Sequence, residues 1–179
     1  MSSIIINRQG IATAANLIKS PNQDARPGGS QITLAVIHNI SLPPGQYGSN
    51  GVIELFTNTL DASAHPYYAE IHRHKVSSHF FIRRDGRLIQ FVACGQRAWH
   101  AGVSSWQGRE RCNDFSVGIE LEGSDVDAFE TVQYEVLNRL LTALKQTYPI
   151  TDIVGHSDIA PGRKTDPGPC FDWSKLIKP

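Results

Sequence analysis

Ile32-Thr33-Leu34-Ala35-Val36-Ile37-His38 is the stretch that decides the fold. Up to its closing histidine it is apolar but for one threonine, and it is rich in β-branched residues, so it reads as a strand. No polar alternation turns one face to water. A strand buried on both faces belongs in the middle of a sheet with helices on either side. A second run, Ile150-Thr151-Asp152-Ile153-Val154-Gly155-His156, has the same character and also ends in a histidine.

Working outward, Val52, Leu55, Phe56, Thr59 and Leu60 fall at helical spacing and predict a short helix over 50–60. A second helix is expected over roughly 65–72. Ser78 to Val92 reads as a hairpin turning at Asp85-Gly86, a pair suited to a two-residue turn with φ > 0 at both positions. Ser116 to Glu122 reads as a strand, with Val117, Ile119 and Leu121 on one side and Gly118, Glu120 and Glu122 on the other. The clearest helix spans 127–148: Val132, Val136, Leu137, Leu140, Leu141 and Leu144 form its apolar stripe, Asp127 and Glu130 cap its start, and Pro149 stops it. Residues 21–30 read as a polar loop and 97–114 as a long binding loop. No repeat or linker interrupts the chain. The order of elements predicts an α/β fold: one domain over 1–179 with a central mixed β-sheet flanked by α-helices.

The chain has 179 residues, with 17 basic against 17 acidic side chains and a formal net charge of zero. That balance gives no long-range attraction to nucleic acid or an anionic membrane, so neither is an expected partner. No window approaches the roughly 20 apolar residues of a membrane span. Cys94, Cys112 and Cys170 are odd in number and match no metal-finger spacing, which favours reduced thiols. Met1 to Ser20 has neither a charged leader nor a continuous apolar run, so a cytoplasmic location is expected.

The chemistry starts from the two histidines. His38 and His156 stand where their strands run out, the place where α/β proteins carry ligands and catalysts. Asp166 follows ten residues after His156. Two imidazoles and a carboxylate suit a catalytic zinc, which keeps its fourth position open. Spacing alone leaves the alternative of two unrelated loop histidines. His65, His72, His74 and His79 compete as ligands, but Glu70, Arg73 and Lys75 give His72-x-His74 the look of a solvated segment, and His79 suits a hydrogen-bonding position beside a pocket. Glu120, in mid-strand, is a candidate acid/base if it faces a cleft and a spectator if it faces solvent. Lys164, two residues before Asp166, is a candidate for stabilising an oxyanion. Trp99 offers an apolar wall, and Arg111 a two-pronged grip on a carboxylate; the alternative is that Trp99 and Trp106 simply cap the core.

Val36-Ile37-His38-Asn39-Ile40-Ser41-Leu42-Pro43-Pro44-Gly45, Arg97-Ala98-Trp99-His100-Ala101-Gly102, Asn113-Asp114-Phe115-Ser116-Val117-Gly118-Ile119-Glu120-Leu121-Glu122-Gly123 and Gly155-His156-Ser157-Asp158 through Arg163-Lys164-Thr165-Asp166-Pro167-Gly168-Pro169 closely resemble the type-2 N-acetylmuramoyl-L-alanine amidase family. The likeness is to its cytoplasmic members that act on 1,6-anhydro-muropeptides in Gram-negative cell-wall recycling. It covers about residues 20–175. It implies a central mixed sheet related to that of peptidoglycan recognition proteins. It also implies one zinc ion on His38, His156 and Asp166, Glu120 as catalytic acid/base, Lys164 at the oxyanion, and substrate contacts from Asn39, Trp99 and Arg111. The implied partner is a small muropeptide bound by a monomer. Two rival readings remain: a muropeptide-binding module without catalysis, and an exported amidase acting on intact murein, which requires a signal sequence.

Overall fold

The computed structural model describes residues 3–176; the outermost residues of the expected 1–179 domain lie outside that range. In chain order the elements begin with strands β1 (Asn16–Leu17), β2 (Gln23–Ala25) and β3 (Leu34–Ile40), then helices α1 (Gly51–Thr57) and α2 (Pro66–Ile71). Strands β4 (Phe80–Ile82), β5 (Leu88–Gln90), β6 (Gln96–Ala98), β7 (Ser105–Trp106), β8 (Arg109–Glu110) and β9 (Ser116–Glu122) follow. Helix α3 (Thr131–Thr147), strand β10 (Asp152–Gly155) and helix α4 (His156–Ile159) complete the set.

Six strands form one sheet in the order β1-β5-β4-β9-β3-β10, parallel throughout except for the β4–β5 hairpin. The mixed sheet expected from the sequence is therefore present. β9 and β3 are both interior strands, and all seven residues of β9 are buried, so Glu120 is not on a solvent-facing edge.

The pleat gives the sheet two distinct faces. Ala35, Ile37, Val117, Ile119 and Leu121 point to one side and pack with Leu137, Leu140, Leu141 and Leu144 of α3. On the other side two smaller cores form. One joins Phe81, Ile89 and Phe91 to Val52, Leu55 and Phe56 of α1; the other joins Leu34, Val36 and Val154 to Phe115 and Ile159. Where these two cores leave the sheet uncovered, polar side chains take their place.

Several expected boundaries shift. The first strand runs over 34–40, not 32–38, so His38 lies within it. Hydrogen bonding to β9 carries the ladder two residues past the point where apolar content ends. The second histidine strand is Asp152–Gly155, and His156 opens α4. Helix α3 starts at Thr131; Glu130 caps it in a reciprocal pair with Gln133, while Asp127 instead accepts from the Tyr47 hydroxyl at 2.5 Å. The Asp85-Gly86 turn is a three-residue connection. Arg83 N–H donates to the Arg87 carbonyl, and only Gly86, at φ 82°, occupies the left-handed region.

The stretch 21–30 is not simply a loop: Gln23–Ala25 pairs antiparallel with Gln96–Ala98. Arg26 beside it reaches inward to the carbonyls of Cys94, Asn113, Asp114 and Ser116. Residues 97–114 likewise contain the β7–β8 ribbon and a short 3-10 turn over Cys112–Asp114. All three cysteines are free thiols. No helix among the described residues is long and apolar enough to cross a membrane.

Candidate active site

His38 and Glu120 occupy the same register row of β3 and β9, so both side chains emerge from the uncovered face. His156 reaches that face from the first turn of α4, directly after β10. The loop carrying Asp166 is tied back in two places. Ser157 N–H donates to the Asp166 carbonyl at 2.9 Å, and Asn39 Nδ2 donates to the Pro167 carbonyl at 3.1 Å. Gly155 permits this approach, since a Cβ there would meet Pro167 Cδ at 2.7 Å.

The result is a convergence of three atoms. His38 Nδ1 is 3.0 Å from His156 Nδ1 and 2.9 Å from Asp166 Oδ2, and His156 Nδ1 is 3.1 Å from the same oxygen. Tetrahedral bonds of about 2.0–2.1 Å to one ion place donor atoms roughly 3.3 Å apart, close to this triangle. The donor chemistry agrees. His156 Nε2 faces the Ala101 carbonyl at 3.1 Å, and a carbonyl only accepts, so the ring proton sits on Nε2 and Nδ1 presents a lone pair. Lone pairs of two imidazoles and a carboxylate repel unless a positive charge lies between them. A proton or a divalent cation satisfies that demand, and the set fits the latter.

Electrostatics keep the donors ready. Burial holds the His38 imidazole below its ordinary range, hence neutral. Burial alone would raise the Asp166 carboxyl, but its two imidazole neighbours reverse the sign and hold it well below the usual carboxylate range.

Glu120 is the opposite case. Burial, reinforced by the charge of Asp166, raises its carboxyl well above the ordinary glutamate value. Its side-chain Oε2 is buried without a hydrogen-bond partner. The carboxyl lines a cleft of about 590 Å³ together with His38, His156 and Asp166. Lys164 lines the same cleft, and no ion pair neutralises its ammonium among the described residues. An ionisable oxygen without a partner, a free cation and a lone-pair triangle around one space form an arrangement suited to polar bond cleavage.

The other expected residues fall less uniformly. Trp99 lines the cleft and donates from Nε1 to Asp24 at 3.2 Å. Asn39 also lines it, but its amide N–H groups are engaged by Asp125 and Pro167. Arg111 lies outside the lining residues, largely exposed and 3.3 Å from Asp114. His79 is fully buried, receiving the Gly118 N–H at 3.0 Å on Nδ1. His72 turns to the Ala69 carbonyl, His65 caps α2, and His74 stands exposed at the cleft rim. None of the four joins the triangle.

The N-acetylmuramoyl-L-alanine amidase family profile matches residues 28–169, which hold every residue of this cluster. The chain belongs to the N-acetylmuramoyl-L-alanine amidase family. It is 53% identical over 170 residues to the 1,6-anhydro-N-acetylmuramyl-L-alanine amidase AmpD of Escherichia coli (strain K12), covering 94% of this chain and 93% of that protein. A crystal structure of a Se-Met AmpD derivative superposes with a TM-score of 0.94 at 51% identity, covering 96% of this chain and 97% of that one. A third match is the amidase AmiD from E. coli in complex with anhydro-N-acetylmuramic acid-L-Ala-D-gamma-Glu-L-Lys, with a TM-score of 0.59 and 29% identity. It covers 97% of this chain and 64% of the AmiD chain.

One residue of the amidase site escaped sequence reasoning. His100 stands against the back of His38, its Nδ1 2.9 Å from His38 Nε2. The available signal was Gly118. Two residues before Glu120 on the same face of β9, a glycine marks room for a ring arriving from elsewhere.

Proposed function

We propose that the chain hydrolyses the amide between the lactyl group of (1,6-anhydro-)N-acetylmuramic acid and L-alanine in small muropeptides of peptidoglycan recycling. One zinc ion per chain would be held by His38 Nδ1, His156 Nδ1 and Asp166 Oδ2. The observation that carries this reading is the unpartnered, buried Glu120 oxygen facing the same cleft as the three converging donors. When bound, the ion supplies Lewis acidity toward the amide carbonyl and toward the attacking water.

Glu120 moves the proton. Its carboxylate takes one from the attacking water at Oε2, and the raised proton affinity of the buried group lets it hold that proton until the alanine amine departs and receives it. Lys164 sets its ammonium beside the oxygen that gains charge when the carbonyl carbon becomes tetrahedral. Trp99 forms a wall of the cleft. Asn39 holds the Asp166 loop through Pro167 and offers its remaining polar atom to substrate. Arg111, outside the cleft lining, is the residue to grip a stem-peptide carboxylate by exchanging Asp114 for it. The protein works as a cytoplasmic monomer, and residues 1–179 make a single zinc amidase domain.

Incubation with anhydro-N-acetylmuramyl-L-Ala-D-γ-Glu-L-Lys, followed by mass spectrometry, tests the reading. The expected products are the free tripeptide and the anhydro sugar acid, with little release from intact sacculi. Tight binding without cleavage would instead indicate a recognition module.

A further inference from the structure

Both imidazoles of the triangle are held from behind by one dipeptide. His38 Nε2 meets His100 Nδ1 at 2.9 Å, and His156 Nε2 meets the Ala101 carbonyl at 3.1 Å. The backbone N–H groups of His100 and Ala101 both donate to Oδ1 of Asn113, at 3.2 and 2.9 Å. Arg163 donates to the same Ala101 carbonyl at 2.8 Å. The far nitrogen of His100, Nε2, lies 3.2 Å from the Ser116 hydroxyl. Beneath the ring is Gly118, where a Cβ would meet three ring atoms at 2.5–2.7 Å. The His100 and His38 rings stand edge to face, 5.0 Å apart at 84°.

Proton positions follow from these partners. An imidazole that binds a cation through Nδ1 keeps its proton on Nε2, and that proton needs an acceptor. The Ala101 carbonyl supplies one for His156. For His38 the acceptor is Nδ1 of His100, which requires the His100 proton to sit on Nε2 and point to Ser116. The order of donation therefore runs from His38 to His100 to Ser116, away from the cleft.

We infer that the His100–Ala101 dipeptide, clamped by Asn113, fixes the tautomer and ring orientation of both metal-binding histidines, with His100 the positioning residue for His38. This rests on the metal reading above. Outer partners of this kind are worth about 10–100-fold in metal affinity. A packing role alone predicts something different: leucine, similar in bulk, would serve as well as histidine, whereas glutamine keeps an acceptor oxygen for His38 Nε2–H.

The test compares wild type, His100→Gln and His100→Leu. Zinc affinity is measured by competition with a chromophoric chelator, and the ¹⁵N shifts of the His38 ring are recorded with and without zinc. Thermal unfolding of the metal-free proteins establishes that each variant folds. Wild type is expected to bind one zinc with His38 protonated on Nε2. His100→Leu should bind about 10–100-fold more weakly, and His100→Gln should recover most of the loss. Wild-type affinity in folded His100→Leu would overturn the inference, as would no recovery in His100→Gln. Should His100→Leu not fold, Ser116→Ala removes the end of the relay and leaves the ring in place. Weaker zinc binding is then expected, and unchanged binding overturns the inference. Wild type failing to bind zinc would overturn the metal reading itself, whereas wild-type binding with an unaffected His100→Leu overturns only this proposal.

Discussion

His38 and Glu120 are direct register partners on adjacent parallel strands, so a donor of the lone-pair triangle and the buried carboxyl share one face in the interior of the sheet. Phe81 completes the row on the other side of Glu120. The carboxyl's strand is therefore flanked by Phe81 on one side and by His38 on the other. Burial there, reinforced by Asp166, gives it a strong hold on a proton.

Glu120→Gln keeps the shape and removes the titratable oxygen. Turnover of the anhydro-muropeptide should fall by roughly 10²–10⁴-fold, while zinc content measured by atomic absorption stays at one per chain. Near-normal turnover would remove Glu120 from the chemistry.

The raised Glu120 carboxyl fixes the direction of two pH effects. As a base it must be ionised, so kcat/KM should decline on the acid side at a pH above the ordinary glutamate value of about 4.3. For stability the sign is reversed. Relative to the unfolded chain, the neutral form is favoured in the fold. Its contribution is complete below about pH 4.3 and is lost as pH rises through the higher folded value. Metal-free Glu120→Gln should therefore melt higher than metal-free wild type at neutral pH, with the gap closing in acid. Differential scanning calorimetry across pH 4–8 would read this, and a lower melting temperature for the variant at neutral pH would contradict it.

Metal affinity should be level near neutrality and fall in acid, because protons compete for the imidazole Nδ1 atoms. His38 is held below its ordinary range and Asp166 stays ionised, so the fall should begin below about pH 6.5. Asp166→Asn should weaken binding at every pH. Isothermal titration would show both, and affinity that rises on acidification would rule the donor set out.

Lys164→Met should lower kcat by about 10²-fold with a smaller change in KM, as expected of a group that acts on charge developing in the transition state. A change confined to KM would make it a binding residue instead.

Gly118→Ala drives a methyl into the His100 ring, with contacts of 2.5–2.7 Å that the ring must relieve. Overpacking of this kind costs about 1–3 kcal/mol. In a chain of this size each kcal/mol lowers Tm by about 2–4 °C. Weaker zinc binding should accompany the loss, because the ring that moves is the one behind His38.

What could be read in advance follows from which interactions are local. The β3 run announced a buried strand through composition, β9 a strand through alternation, and α3 a helix through a stripe of leucines that only one helical face can satisfy. His38, His156 and Asp166 stood out as a candidate set because residue type limits ligand chemistry, and the fold brings them together; for Glu120, which shares its strand with Glu122, the alternating pattern left cleft and solvent equally open. Three other features depend on partners distant in sequence. Gln23–Ala25 becomes a strand only by pairing with residues more than 70 positions away. Asn39 is captured by a loop that Ser157 fixes from below. His100 gains its meaning from a glycine on another strand. No spacing within a segment carries such pairings.

The most direct test is a titration of cleavage against metal. Protein stripped with a chelator and dialysed should be inactive toward the anhydro-muropeptide. Activity should then rise linearly with added zinc and stop at one equivalent per chain. Full cleavage by the stripped protein, or a rise that continues past one equivalent, would contradict a single ion held by His38, His156 and Asp166.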